Sequence, residues 1–184
     1  MHKALFLDRD GVINIDKGYI YQAADVEWVP GVIDIMQAFK NKGYKIIVVT
    51  NQSGIGRGYY SEKDFHALMT WMNQALSASQ VQFDGVYFCP HHPEHALGKY
   101  KKVCGCRKPA GGMLFDAIEA HHINPADSTM IGDSWRDVMA AEEAGVGQIY
   151  YLAQQVAPHH QEHIDNAFGK VKAVSKLSQI LESK

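Results

Sequence analysis

Residues 44–50 read YKIIVVT, a run of β-branched side chains with no polar face. A strand with one side in water alternates apolar and polar residues. A strand apolar on both sides must be covered on both sides, as the central strand of a parallel sheet is. This segment therefore demands helices above and below a sheet, and its neighbours can supply them. GVIDIMQAFKNKG (31–43) puts Val32, Ile35, Met36 and Phe39 on one helical stripe and stops at Gly43. Ser61 can cap a second helix running to about Ser79, with Phe65, Leu68, Met72 and Leu76 inward. Strands are expected at KALFL (3–7), DGVYFC (84–89), STMIGD (128–133) and, last, VGQIYYL (146–152). Helices are expected at GGMLFDAIEAHHI (111–123), SWRDVMAAEEAG (134–145) and, shorter, near Val174–Leu181. The alternation predicts an α/β fold, a Rossmann-like doubly wound parallel sheet. In such sheets ligands gather beyond the carboxyl ends of the strands, at a topological switch point.

The 184 residues suit a single domain, 1–184, with no interdomain linker. A formal charge of −2 without a basic run argues against a nucleic-acid partner. The opening MHKALFLDRDG is broken at once by charges, so neither a signal peptide nor a membrane span is expected there. A cytoplasmic monomer is the expectation. HHQEH (159–163) reads as a solvated surface segment.

All three cysteines fall in one loop, CPHHPEHALGKYKKVCGCRKP (89–109). Three is an odd number for disulfides, and Cys104 and Cys106 are too close in sequence to pair comfortably. Cys89 and His91 form C-x-H, and Cys104 and Cys106 form C-x-C, which together complete a tetrahedron for Zn²⁺. His92 could stand in for His91. Four protein ligands leave no seat for water, so the zinc of this loop (89–108) is expected to be structural, and chemistry must lie elsewhere.

The strand ends are the place to look. The first ends in Asp8-Arg9-Asp10-Gly11, two carboxylates in alternation, or simply an Asp-Gly turn. The second ends in Thr50-Asn51-Gln52-Ser53 followed by Gly54-Ile55-Gly56-Arg57-Gly58, either a phosphate cradle or an ordinary glycine-rich turn. The cysteine loop ends in Arg107-Lys108-Pro109, cations placed just before a helix. The fourth strand ends in Gly132-Asp133, with Asp137 one turn into the next helix, where capping is the plain alternative.

Taken in order, carboxylate pair, Thr, Lys and carboxylate resemble the haloacid dehalogenase-like phosphohydrolases. D-R-D-G-V matches their first motif, Thr50 the second, Lys108 the third and G-D-x-x-x-D (132–137) the fourth. The zinc loop resembles that of the subgroup holding the D-glycero-D-manno-heptose 1,7-bisphosphate 7-phosphatases and the histidinol-phosphate phosphatases. DRDGVINIDKGY, VVTNQSGIGRG and CPHHP are more similar to the heptose bisphosphate branch. The resemblance implies that Asp8 is a nucleophile giving a phosphoaspartate and that Asp10 is a general acid–base. It implies Mg²⁺ on Asp8, the Asp10 carbonyl and Asp133, with Thr50 and Lys108 on the transferring oxygens. Asp137 would orient the metal's waters or stabilise its helix. Arg107 would hold the far phosphate of a small sugar bisphosphate.

The gaps after Asp10 and after Thr50 are too short for a cap domain, so a capless enzyme is expected. Asp16, Lys17, Gly18 and Tyr19 would form one substrate wall, and Asn51, Gln52 and Ser53 another. Ser134 stands where some heptose phosphatases carry Lys. The implied setting is nucleotide-heptose synthesis. The rivals are a histidinol-phosphate phosphatase and, from another class, a catalytically silent zinc-loop binding module.

Overall fold

The computed structural model describes residues 1–182; the last two positions of the expected domain lie outside the described residues. Six parallel strands form one sheet: β1 (Lys3–Leu7), β2 (Tyr44–Asn51), β3 (Gly85–Cys89), β4 (Thr129–Gly132), β5 (Gln148–Leu152) and β6 (Val171–Val174). The helices are α1 (Val32–Asn41), α2 (Ser53–Gly56), α3 (Glu62–Ser77), α4 (Gly112–His121), α5 (Trp135–Glu143), α6 (Pro158–Asn166) and α7 (Ser178–Glu182). The spatial order is β3-β2-β1-β4-β5-β6. The chain winds outward from β1 to β3, then returns to start the other half at β4. The switch point therefore lies between β1 and β4, whose carboxyl ends carry Asp8 and Asp133.

The strand pleat sorts the two cores. Leu5 and Leu7 of β1 join Ile46 and Val48 of β2 in one core. Ala4 and Phe6 join Ile47 and Val49 in the other. Phe39 of α1 and Phe65 of α3 close the first, while Leu114 of α4 and Val138 of α5 close the second. Each such side chain, fully buried, contributes roughly 1.5–3 kcal/mol. Ser61 caps α3, its side chain accepting from Asp64 N while Asp64 accepts from Ser61 N. No cap domain interrupts the described residues: a 3₁₀ turn at Ala23–Asp25 lies between β1 and α1, and the four-residue α2 follows β2.

Two expectations need correction. The strand at 148–152 is not the last, because β6 follows it and pairs with β5. This edge strand is four residues long and only Val171 is buried, so its pattern is too weak to read. The tail helix consequently starts at Ser178, not Val174. HHQEH lies on the surface as expected, within α6, where His159, Gln161, Glu162 and His163 are exposed. His160 stacks on Trp135 with centroids 3.9 Å apart, and His163 Nε2 lies 2.8 Å from Glu142 Oε1.

Candidate active site

The floor of the site joins two strand ends and the first turn of a helix. Asp8 follows β1, Asp133 follows β4, and Asp137 sits in the first turn of α5. Carboxylate oxygens of these three lie within 4.8 Å of one another. Lys108 is buried among them. Its Nζ is 3.0 Å from Asp8 Oδ1 and 2.6 Å from Asp137 Oδ1, and it donates to the Val49 carbonyl at 2.8 Å. Burial pushes the Asp8 carboxyl well above the usual range, against the pull of Lys108, and Asp137 and Asp133 push it further. Burial and the charge of Asp137 push Asp133 up to about 6. Three carboxylates facing one ammonium make a site short of positive charge, and its hard oxygen donors fit Mg²⁺. Gly11 makes the geometry feasible: at φ +90° it takes a left-handed turn, and a Cβ there would fall 2.0 Å from Asp133 Oδ2.

Asp10 is held on both oxygens. Oδ1 accepts from Arg9 NH2 at 2.8 Å and Asn14 Nδ2 at 3.0 Å, and Oδ2 accepts from Gln52 Nε2 at 3.0 Å. Gln52 Nε2 also donates to Thr50 Oγ1 at 2.9 Å, while its Oε1 accepts from the buried Tyr60 hydroxyl. Tyr60 escaped the sequence reading, because the pair Tyr59-Tyr60 carries no periodic signal. The glycine-rich stretch after Thr50 packs against it. A Cβ on Gly54 would meet the Tyr60 ring at 2.4 Å, and one on Gly56 would meet the Pro90 carbonyl at the same distance. Both glycines are buried in α2, so close packing accounts for them, and a phosphate cradle is not needed to explain them.

The cysteine loop gathers its expected ligands. Sγ of Cys89 is 3.5 Å from both Cys104 Sγ and His91 Nδ1, and Cys104 and Cys106 are 3.4 Å apart. Cys106 is 3.3 Å from His91 Nδ1 and, on the tightest edge, 2.6 Å from Cys89. A zinc tetrahedron with bonds of about 2.3 Å to sulfur has edges of about 3.8 Å, so soft donors in this arrangement fit Zn²⁺. Burial pushes the thiols of Cys89 and Cys106 up, which a cation at the centre would reverse. His92 points elsewhere, its Nδ1 accepting from the backbone N–H groups of Glu94 and His95 at 3.1 and 3.0 Å.

Known proteins resemble this chain in sequence and fold. A family model described as HAD-hydrolase-like matches residues 105–174. The D-glycero-β-D-manno-heptose-1,7-bisphosphate 7-phosphatase of Vibrio cholerae serotype O1 is 49% identical over 144 residues, covering 78% of this chain and 77% of that one. The chain belongs to this family of haloacid dehalogenase-like phosphatases. The Escherichia coli K12 protein of the same description is 47% identical over 144 residues, 78% of this chain and 75% of its own. Among solved structures, D,D-heptose 1,7-bisphosphate phosphatase from B. bronchiseptica, complexed with magnesium and phosphate, superposes with a TM-score of 0.77. It is 27% identical and the match covers 99% of both chains.

In this family member a cleft of about 400 Å³ opens above the floor. Asp8, Asp10, Lys108 and Asp133 line it, as do Asp16, Gly18, Tyr19, Asn51, Gln52, Ser53 and Arg107 of the expected walls. Thr50 is buried and reaches the floor through Gln52. Lys17 is not brought to the cleft, because its ammonium pairs with Glu27 at 3.1 Å. Asn51 grips the backbone of Lys108: its Nδ2 donates to the Lys108 carbonyl at 3.1 Å and its Oδ1 accepts from Lys108 N at 3.0 Å. Sequence reasoning missed Arg136, which lines the cleft with Ser134. A cation in the first turn of a helix opposes the macrodipole, and that was the available signal.

Proposed function

We propose that this chain is a Mg²⁺-dependent phosphatase that removes the 7-phosphate of D-glycero-β-D-manno-heptose 1,7-bisphosphate. The observation that carries the reading is the Asp8–Lys108 pair beside Asp133 at the switch point, in a chain 49% identical to a protein of that description. The β anomer follows the names of the relatives.

Asp8 attacks phosphorus to give a phosphoaspartate, and Asp10 protonates the departing heptose oxygen. Asp10 then takes a proton from the water that hydrolyses the acyl phosphate. A carboxylate approaching a phosphate dianion at about 3.5 Å, with an effective dielectric near 20, meets roughly 10 kcal/mol of repulsion. Lys108 offsets part of it. Mg²⁺ held by the Asp8 and Asp133 carboxylates and the Asp10 carbonyl would supply the remaining positive charge. Zn²⁺ on Cys89, His91, Cys104 and Cys106 would fix the loop that delivers Arg107 and Lys108. The same reading takes the chain as one catalytic domain acting in the reducing cytoplasm.

Kinetics on both anomers of the heptose bisphosphate, beside histidinol phosphate, test the assignment. The expected result is a kcat/KM highest for the β-bisphosphate and abolished in Asp8→Asn. Preferred turnover of histidinol phosphate would move the chain to that branch. Absence of any Mg²⁺-dependent phosphatase activity would leave a binding module.

A further inference from the structure

Arg107 and Arg136 both line the cleft, and among the described residues neither has a carboxylate within ion-pair distance. Their internal contacts are long and neutral. Arg107 NH1 donates to the His91 carbonyl at 3.4 Å, and Arg136 Nε donates to Ser134 Oγ at 3.3 Å. A guanidinium has five donor hydrogens, so most of each fork is left for solvent or ligand.

The two come from opposite sides. Arg107 ends the loop that follows β3, and Arg136 opens the helix that follows β4. In the sheet, β3 and β4 flank β2 and β1, so the two arginines approach the end of β1 from either hand. Arg136 also occupies a poor place for a cation. It is the second residue of α5, beside the positive end of the helix, and Ser134 and Asp137 already close the cap around it. Beyond the long bond to Ser134 Oγ, its exposed side chain adds no hydrogen bond or ion pair to the fold among the described residues. Lys108 and the acidic floor claim the reacting phosphate. An anion caught between Arg107 and Arg136 would lie above that floor, at the other end of a ligand with two anionic groups. A guanidinium pair suits phosphate, since each fork can donate two parallel hydrogen bonds.

We propose that Arg136, acting with Arg107 from the opposite wall, holds the phosphate that is not cleaved and sets the preference for a bisphosphate over a monophosphate. The proposal rests on the heptose bisphosphate reading of the floor. The test compares kcat/KM on heptose 1,7-bisphosphate and on heptose 7-phosphate, for the wild-type protein and for Arg136→Ala, Arg136→Lys and Arg107→Ala. Arg136→Ala should lose roughly 10–100-fold on the bisphosphate, chiefly through KM, and much less on the monophosphate. Arg136→Lys, with charge but no fork, should fall between. The Tm of Arg136→Ala should not drop, which separates lost binding from a damaged fold. A wild-type protein that does not prefer the bisphosphate overturns the functional reading and the proposal with it. A wild-type preference that survives intact in Arg136→Ala overturns the proposal alone.

Discussion

Lys108 Nζ stands 2.6 Å from Asp137 Oδ1 and 3.0 Å from Asp8 Oδ1, with all but a few per cent of its side chain buried. Asp137 therefore has two tasks. Its other oxygen, Oδ2, accepts from Ser134 N at 3.0 Å and closes the cap of α5. The helix that follows β4 thus aims a carboxylate at the lysine delivered by the cysteine loop after β3. Burial alone would drive the Lys108 ammonium toward neutrality, but Asp137 and Asp8 outweigh it and hold its pKa above the ordinary lysine value.

Asp137→Asn should accordingly damage the reaction more than the helix. The amide oxygen can still accept from Ser134 N, but it offers Lys108 no charge. Lys108 would keep Asp8 as its one anionic partner and bind it more closely, occupying the proposed nucleophile. The expected loss is about 10–100-fold in kcat, with a stability loss of about 1–3 kcal/mol by urea denaturation, the scale of a weakened buried charged hydrogen bond. Unchanged kcat would show that Asp137 serves the cap alone.

Cys106 belongs to the Cys/His cluster and lies two residues ahead of Lys108 in the chain. If zinc fills the cluster as proposed, replacing Cys106 by Ser removes one of its four ligands, so zinc content and the placement of Lys108 should fail together. Elemental analysis after gel filtration should find about one zinc per chain in the wild-type protein and less in Cys106→Ser. The variant should also lose Tm and kcat. Full activity in a zinc-free variant would separate the clamp from catalysis.

The pattern of hydrophobic runs made the fold readable, because a strand that ends in a buried cleft must pass abruptly from apolar residues to functional ones. Leu7 followed by Asp8, and Ile131 followed closely by Asp133, mark that change, but each alone reads equally as a turn or a cap, and only their order with Thr50 and Lys108 decides. Contacts between distant segments were not readable. Nothing local shows that Asn51 will clasp the backbone of Lys108, or that Lys17 will turn outward to Glu27. Gly54 was ambiguous for a physical reason: a missing side chain can make room for a ligand or for a neighbour. Only the position of the Tyr60 ring decides between them.

Tyr60 should matter through the orientation of one amide. Its hydroxyl donates to Gln52 Oε1, which forces Nε2 toward Asp10 Oδ2 and Thr50 Oγ1. Tyr60→Phe keeps the ring against Gly54 and removes only that constraint. Gln52 could then turn its oxygen on Asp10, a carboxylate that would be repelled. A fall of about 3–10-fold in kcat with little change in KM is expected, with about 0.5–1.5 kcal/mol of stability lost. Burial pushes the Tyr60 hydroxyl up to about 12, so it remains a donor and the defect should not vary between pH 6 and about 9. A KM effect without a kcat effect would point to the cleft wall instead.

The same acidic floor should couple magnesium to protons. Burial, then the charge of Asp137, raises Asp133 to about 6, whereas an unfolded aspartate titrates near 3.9. A raised acid is easier to keep neutral than to ionise in the fold. Without metal, its contribution to stability is therefore fully favourable below about pH 4, shrinks as pH rises, and is gone above about 6. A bound divalent cation reverses the balance by favouring the ionised form. Mg²⁺ affinity should thus weaken as pH falls through about 6, by up to tenfold per pH unit for each proton displaced, and Asp8, also raised by burial, steepens the fall where it too is protonated. Calorimetric titration of the wild-type protein at pH 5, 6, 7 and 8 reads this slope directly, and the heats in buffers of different ionisation enthalpy count the protons released. Thermal scans give an independent check, since the rise in Tm caused by Mg²⁺ should be larger at pH 7.5 than at 5.5. An affinity that does not change across this range would mean that Asp133 is already ionised in the free protein, and that another feature of the cleft satisfies its charge.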